Sequence, residues 1–188
     1  GSTNEIGIFE MINSGLREVR DPSEIFLTRT QNLISGSSII SCIEGTRALL
    51  VEVQALVTRS NFGMPERKVS GVDYNRVAMI IAVLGKRTGL LLGGHDVFVN
   101  VVGGVKIYEP AADLGIAIAI ASSFKDTEIA GDTIIIGELG LGGEVRGVSQ
   151  FGSRLKEAER LGFKNAKDII ACGFDKEKTI IFSNRDYR

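Results

Sequence analysis

The chain has 188 residues, 44% of them hydrophobic and 24% charged, with a formal net charge of −1. That balance describes one folded domain, or one plus a fragment, and excludes a disordered chain. It also excludes a globally basic protein, so any contact with nucleic acid must come from a local patch.

Cys42 and Cys172 are far apart and form no metal-type spacing. They read as reduced, buried thiols of a cytoplasmic protein. His95 is the single histidine, which leaves a zinc site or a Ser-His-Asp triad little to work with, and it is expected in a loop between a helix and a strand. The longest apolar run, Leu114 to Ala121, is far too short to cross a membrane, so no membrane partner is expected.

Gly1-Ser2 is read as a cloning remnant, and residues 1–36 as a unit apart from the rest. Within them Gly7 to Met11 and Leu16 to Val19 read as two short strands around an Asn13-Ser14-Gly15 turn. Residues 37–188 form the main domain. Ser38 to Ile43 and Ala48 to Thr58 carry the β-branched alternation of paired strands, joined at Glu44-Gly45-Thr46. The polar stretch from Arg59 to Gly71 reads as a loop. Tyr74, Val77, Ala78, Ile81 and Leu84 then recur at helical spacing over 73–87.

Val97 to Val102 and 105–108 read as strands, and Glu109 to Asp113 as a turn. Leu114 to Phe124 is apolar almost all round, the mark of a helix buried between layers. Thr133 to Leu139 reads as a core strand, and glycines 140, 142 and 143 as a hairpin turn. Ser149 is placed to cap a helix reaching Leu161, with Phe151, Leu155 and Ala158 on its apolar stripe. Lys167 to Cys172 and Thr179 to Phe182 supply closing strands. The order β-β-α-β-α-β-α-β defines an α/β domain of α+β character with a mixed sheet.

Two glycine-rich signals fail on context. The glycines from 137 to 143 do not match G-x-G-x-x-G and lead into a strand rather than a helix. Gly85-Lys86-Arg87-Thr88 lies at a helix end, whereas a phosphate loop opens a helix. No cofactor site is expected in this chain.

Charge is concentrated locally. Arg59, Arg67, Lys68, Arg76, Lys86 and Arg87 stand against Glu66 and Asp73, with Phe62 and Tyr74 interleaved. The balance suits a loop that contacts phosphates without base specificity. It equally suits a solvated loop in which Arg76 pairs with Asp73. A second group, Arg146, Arg154, Lys156 and Arg160, is diluted by Glu144, Glu157 and Glu159 and reads as a solvated helix face.

Several segments together carry a resemblance. They are Gly7 to Met11, Leu50 to Val57, Gly71 to Arg76, Asp96 to Val101, Glu109 to Leu114 and Gly143 to Arg146. Spanning about residues 6 to 166, they resemble Lon-type serine protease domains. Within that group they resemble the subgroup at the carboxy-terminal end of the RadA (Sms) family of bacterial DNA-repair proteins. The tail after Asp168 matches less clearly. In Lon-type enzymes a Pro- and Gly-containing turn presents a nucleophilic Ser at the start of a buried helix, and a Lys from a later helix is its base.

Aligning Gly115 puts Asp113 at the Ser position, and aligning Gly137-Glu138 and Val145 puts Gly152 at the Lys position. A Ser–Lys dyad needs a neutral lysine to take the hydroxyl proton. Asp113 supplies a weak anionic nucleophile and Gly152 no base. The resemblance therefore implies a Lon proteolytic-domain-like fold that is catalytically degenerate. Asp113 is then expected to cap or support its helix.

The resemblance implies more beyond the chain: an upstream RecA-like ATPase core, ending in residues 6–20, and a zinc finger. ATP, Mg and Zn belong to those parts and none to this one. It implies a hexameric ring platform for a DNA-dependent ATPase in branch migration, working with RecA-type recombination machinery at the nucleoid. The partner would be single-stranded or branched DNA, with Arg59, Arg67, Lys68 and Arg76 as candidate contacts. The rival readings are a purely structural oligomerisation domain and a residual peptidase using Ser122 or Ser123.

Overall fold

In the computed structural model, residues 9–19, 23, 26–27, 34–61 and 63–163 are described. The first element is the expected hairpin, β1 (Phe9–Ile12) against β2 (Gly15–Glu18), antiparallel and in a two-stranded sheet of its own. Its Phe9, Met11 and Leu16 side chains are exposed.

A five-stranded mixed sheet forms the centre, in the order β5-β6-β4-β3-β7. β3 (Ser37–Glu44) and β4 (Arg47–Arg59) pair antiparallel along their whole overlap, as their alternation predicts. β6 (His95–Val101) runs antiparallel to β4. The stretch expected to be wholly loop contains β5 (Arg67–Ser70), parallel to β6 at the sheet edge. Edge strands tolerate charge on their open side, so Arg67 and Lys68 hid a strand. His95 opens β6 instead of lying in a loop, and its ring meets Phe124 edge-on at 5.0 Å.

Two further expectations are corrected. Residues 105–108 form no strand of their own; only Ile107 bridges Val72. The stretch Thr133 to Leu139 divides into β7 (Ile134–Ile135), parallel to β3, and β8 (Glu138–Leu139), which leaves the sheet to pair with β9 (Val145–Arg146). The break falls at Gly137, whose N–H donates to Ala111 O and whose carbonyl accepts from Leu114 N. Those groups serve the helix beside the strand, so the ladder cannot continue there.

Helices cover both faces of the sheet. α1 (Tyr74–Val83) is capped by Asp73, whose side chain accepts the Arg76 N–H, and widens into a π turn at Leu84–Thr88. α2 (Asp113–Lys125) follows a 3-10 turn at Pro110–Ala112 and is buried from Asp113 to Ser122. Both pack on the face that carries Ile40, Val51, Val53, Val97, Val99 and Val101. α3 (Phe151–Arg160) packs on the opposite face, where Ala158 meets Leu50 and Ile134. The result is the mixed α/β domain expected. The strands expected at 167–172 and 179–182 lie outside the described residues.

Cys42 is buried as expected, with its thiol pushed up to about 12 by burial first and by the Glu109 and Glu44 carboxylates next. No helix among the described residues is long and apolar enough to cross a membrane.

Candidate functional site

The two positions singled out by the Lon alignment, Asp113 and Gly152, stand at the starts of α2 and α3. Asp113 is 4% exposed. Its side chain does not cap its own helix: α2 has no side-chain cap, and the free Leu114 N–H is taken by Gly137 O at 3.1 Å. Because the β7–β8 link already serves that donor, the carboxylate turns away. One oxygen accepts from Arg76 Nη1 at 2.6 Å and the other from Leu139 N at 3.4 Å. Asp113 thus ties α1, α2 and β8 together. The capping role is corrected; the supporting role has a concrete form.

Burial raises the Asp113 carboxyl above its ordinary value, and the Arg76 guanidinium pulls the other way without overcoming it. The pair sits in a cleft of about 460 Å³ whose wall includes Met79, Pro110, Glu138, Leu141 and Arg146. Arg146 is shared there between Glu144 at 2.5 Å and Glu138 at 3.5 Å.

Gly152 is exposed, and a Cβ built on it would meet nothing within 4 Å. Its helix begins after Gln150, in the left-handed region at φ 53, so Ser149 is not the cap expected of it. The Ser149 carbonyl instead accepts from Arg154 Nε at 2.9 Å. Arg154 is completely buried, which corrects its assignment to a solvated face. Its guanidinium grips both carboxylate oxygens of Glu109 and donates to Ser41 O. Glu109 also accepts the Ile43 N–H at 2.7 Å. An internal ion pair therefore joins the turn before α2 to the first turns of α3. These are the two elements that would carry a Ser–Lys dyad. Sequence reasoning missed it, although Arg154 falls on the helical stripe of Phe151, Leu155 and Ala158.

The candidate cations divide. Arg59 and Arg67 lie opposite His95 and Val97 in the ladders that flank β6, with Lys68 next along, so these three share one end of the sheet. Arg76, on α1, is apart from them. The Arg67 guanidinium donates to the carbonyls of Leu92, Glu66 and His95. The Arg76 guanidinium is held by Asp113, rather than by Asp73 as one expectation had it. Lys68 is exposed, 2.9 Å from Glu66 and 5.9 Å from the Phe98 ring centroid. Arg59 is exposed at the end of β4.

Both candidate serines hold the fold. Ser122 Oγ accepts from Gly36 N and donates to Thr127 O, and Ser123 Oγ accepts from Val57 N. Among the described residues no group of three or more His, Cys, Asp or Glu is placed to hold a metal ion.

This geometry defines a mixed α/β domain whose helix starts are clamped by ion pairs. The model of a protein family described as "Subunit ChlI of Mg-chelatase" matches residues 51–170, and the chain belongs to that family. Its relatives are more specific. It is 56% identical over 164 residues to the DNA repair protein RadA of Bacillus subtilis (strain 168), which covers 87% of this chain and 36% of that protein. It is 54% identical to the RadA of Halalkalibacterium halodurans with the same coverage. With the RadA of Haemophilus influenzae it shares 49% identity over 181 residues, covering 96% of this chain and 39% of the relative. The resemblance to RadA proteins is thereby borne out, and the chain spans a little over a third of those relatives' length.

Proposed function

We propose that this chain is the non-catalytic, Lon-like domain of a DNA-repair protein of the RadA kind, serving as a ring-forming scaffold that also contacts DNA. In the whole protein it would be the platform beneath a DNA-dependent ATPase that promotes branch migration of recombination intermediates. Residues 1–36 would then be the end of that ATPase core and a linker, and residues 37–188 the platform. ATP, Mg and Zn would be bound upstream of this chain, at the nucleoid in the cytoplasm, alongside RecA-type recombination machinery.

One observation carries the non-catalytic half. At the positions a Lon-type dyad would occupy stand an aspartate bound to Arg76 and a glycine with open space around it. A carboxylate held by a guanidinium has no hydroxyl to deprotonate, and a hydrogen side chain takes no proton. The peptidase reading through Ser122 or Ser123 is disfavoured because both hydroxyls are engaged with backbone groups. Incubating the chain with an unfolded protein substrate tests this directly. No hydrolysis above background is expected; cleavage that disappears in S122A or S123A would overturn the reading.

The DNA-contacting half rests on the relatives' names and on the cations at the β4–β5 end of the sheet. Arg59 and Lys68 are its exposed members, while Arg67 and Arg76 act through the fold. That internal use of two cations is also what favours the rival reading, a purely structural oligomerisation domain. Such a domain would retain no DNA even at low salt.

A further inference from the structure

β4 runs on past its neighbour. β6 ends at Val101, opposite Val53, and turns away through Val102–Gly104, so β4 from Arg47 to Glu52 has no β6 beside it. The amides of Leu50 and Glu52 in that stretch are met from far upstream in the chain. Leu50 N donates to Ser23 Oγ at 3.2 Å, and Glu52 N to Phe26 O at 3.1 Å. Buried backbone donors need such partners, and here a segment that reads in sequence as linker supplies them.

Three residues of that segment are each seated differently. Ser23 has no exposed surface, and its hydroxyl also donates to Glu157 Oε1 on α3 at 2.7 Å. Leu27 is 8% exposed and completes the apolar cluster of Leu50, Ile134 and Ala158 beneath α3. Phe26 packs with the core on the α1–α2 face, against Gly103, where a Cβ would lie 2.4 Å from the ring. With φ at 76, Gly103 suits glycine for its backbone as well as for that contact. Phe26 and Leu27, adjacent in the chain, thus enter opposite faces of the sheet, the alternation of a strand.

We propose that Ser23, Phe26 and Leu27 anchor the β1–β2 hairpin to the domain, leaving it a tether of four residues, 19–22, in place of a linker of eighteen, 19–36. Glu18, the last residue of β2, is five residues from Ser23 and nineteen from Ser37. Full extension spans about 17 Å in the first case and about 65 Å in the second. The anchor therefore keeps the hairpin near α3 and the turn after β6, and it moves the edge of the domain from Ser37 back to Ser23. A displacement of the hairpin is delivered first to Glu157 on α3 and to Gly103. Where the hairpin closes an ATPase core, as in the reading above, this is the route by which movement of that core enters the domain; only that consequence rests on the reading.

Double electron–electron resonance between spin labels at E18C and L141C tests the anchor in the whole chain. Both positions are exposed, and a C172S background leaves only the buried Cys42 thiol unlabelled. A narrow distance distribution is expected in the parent. In F26A/L27A it should broaden and reach longer distances, with a melting curve showing that the domain is still folded. A broad distribution in the parent, or one unchanged in F26A/L27A, would overturn the proposal. Amide hydrogen exchange of the parent needs no variant to fold. The Leu50 and Glu52 amides should be protected like those of β4 beside β6; exchange at the rate of an open strand edge would overturn the anchor. Neither readout involves DNA or the upstream core, so the proposed function stands or falls separately.

Discussion

Arg154 is buried without remainder, and every group around its guanidinium is an acceptor: both oxygens of Glu109 and the carbonyls of Ser41 and Ser149. Truncating it leaves the partly buried Glu109 carboxylate without its guanidinium and takes a donor from the Ser41 carbonyl. R154A is therefore expected to cost about 3–5 kcal/mol, the range for breaking a buried pair from one side. Urea unfolding monitored by circular dichroism measures it, and a midpoint equal to the parent's would show the pair to be dispensable. R154K should recover little, since an ammonium cannot grip two carboxylate oxygens and two carbonyls at once.

Asp113 gives the opposite kind of prediction. Its folded-state carboxyl titrates above the unfolded value because burial outweighs Arg76. The stability linked to this group is then fully present below the unfolded carboxylate range and is lost as pH rises through the raised folded value. Asn at this position has no such titration and keeps an oxygen for Arg76. The stability of the parent relative to D113N should therefore fall between acid and neutral pH. Urea midpoints of both proteins across that range check it; a parent that gains on D113N as pH rises would contradict the sign.

At the scale of elements, α2 shows why a glycine two residues past Asp113 matters. A Cβ on Gly115 would lie 2.1 Å from Ile40 Cγ2, and Ser38 Oγ donates to the Gly115 carbonyl at 2.9 Å. The helix thus lies against β3 at a separation only glycine allows. G115A should destabilise by about 1–3 kcal/mol despite its better helix propensity, because an overpacked core must shift backbone. A melting temperature at or above the parent's would refute that packing.

The helix itself was legible, since an apolar run with no polar face has nowhere to go but between layers. So were the hairpin at Asn13–Gly15 and the β3–β4 pair, whose alternation is local. β5 was not legible, because its strand character comes from β6, some thirty residues away in sequence. Nor was the division of 133–139 at Gly137, which depends on backbone bonds to the start of α2. In the candidate site the Lon resemblance pointed to Asp113 and Gly152. Their surroundings could not be read from it: Arg76 and Asp113, and Arg154 and Glu109, are brought together only by the folded sheet. Charge counting therefore took Arg67, Arg76 and Arg154 as solvent-facing, when Arg154 is buried and Arg67 and Arg76 are engaged by groups of the fold.

At the scale of the whole molecule, the same accounting reshapes the basic segment. Six cations between Arg59 and Arg87 look like a patch in sequence, yet two of the four taken as DNA contacts hold the fold. What remains at the β4–β5 end is Arg59 with Lys68, and Lys68 is already beside Glu66. So small a set predicts weak contact with a shallow dependence on salt, of the kind a ring multiplies by presenting many copies together. It does not predict tight binding by a single copy.

The most direct measurement is the anisotropy of a labelled single-stranded oligonucleotide titrated with this chain, repeated over about 50–300 mM salt. With two phosphates neutralised per copy, log affinity should fall against log salt with a slope of about −1.4 per bound copy. R59A/K68A should flatten that line without changing the melting temperature. No measurable binding at the lowest salt, or a slope untouched in R59A/K68A, would contradict the account and leave a scaffold that does not meet DNA.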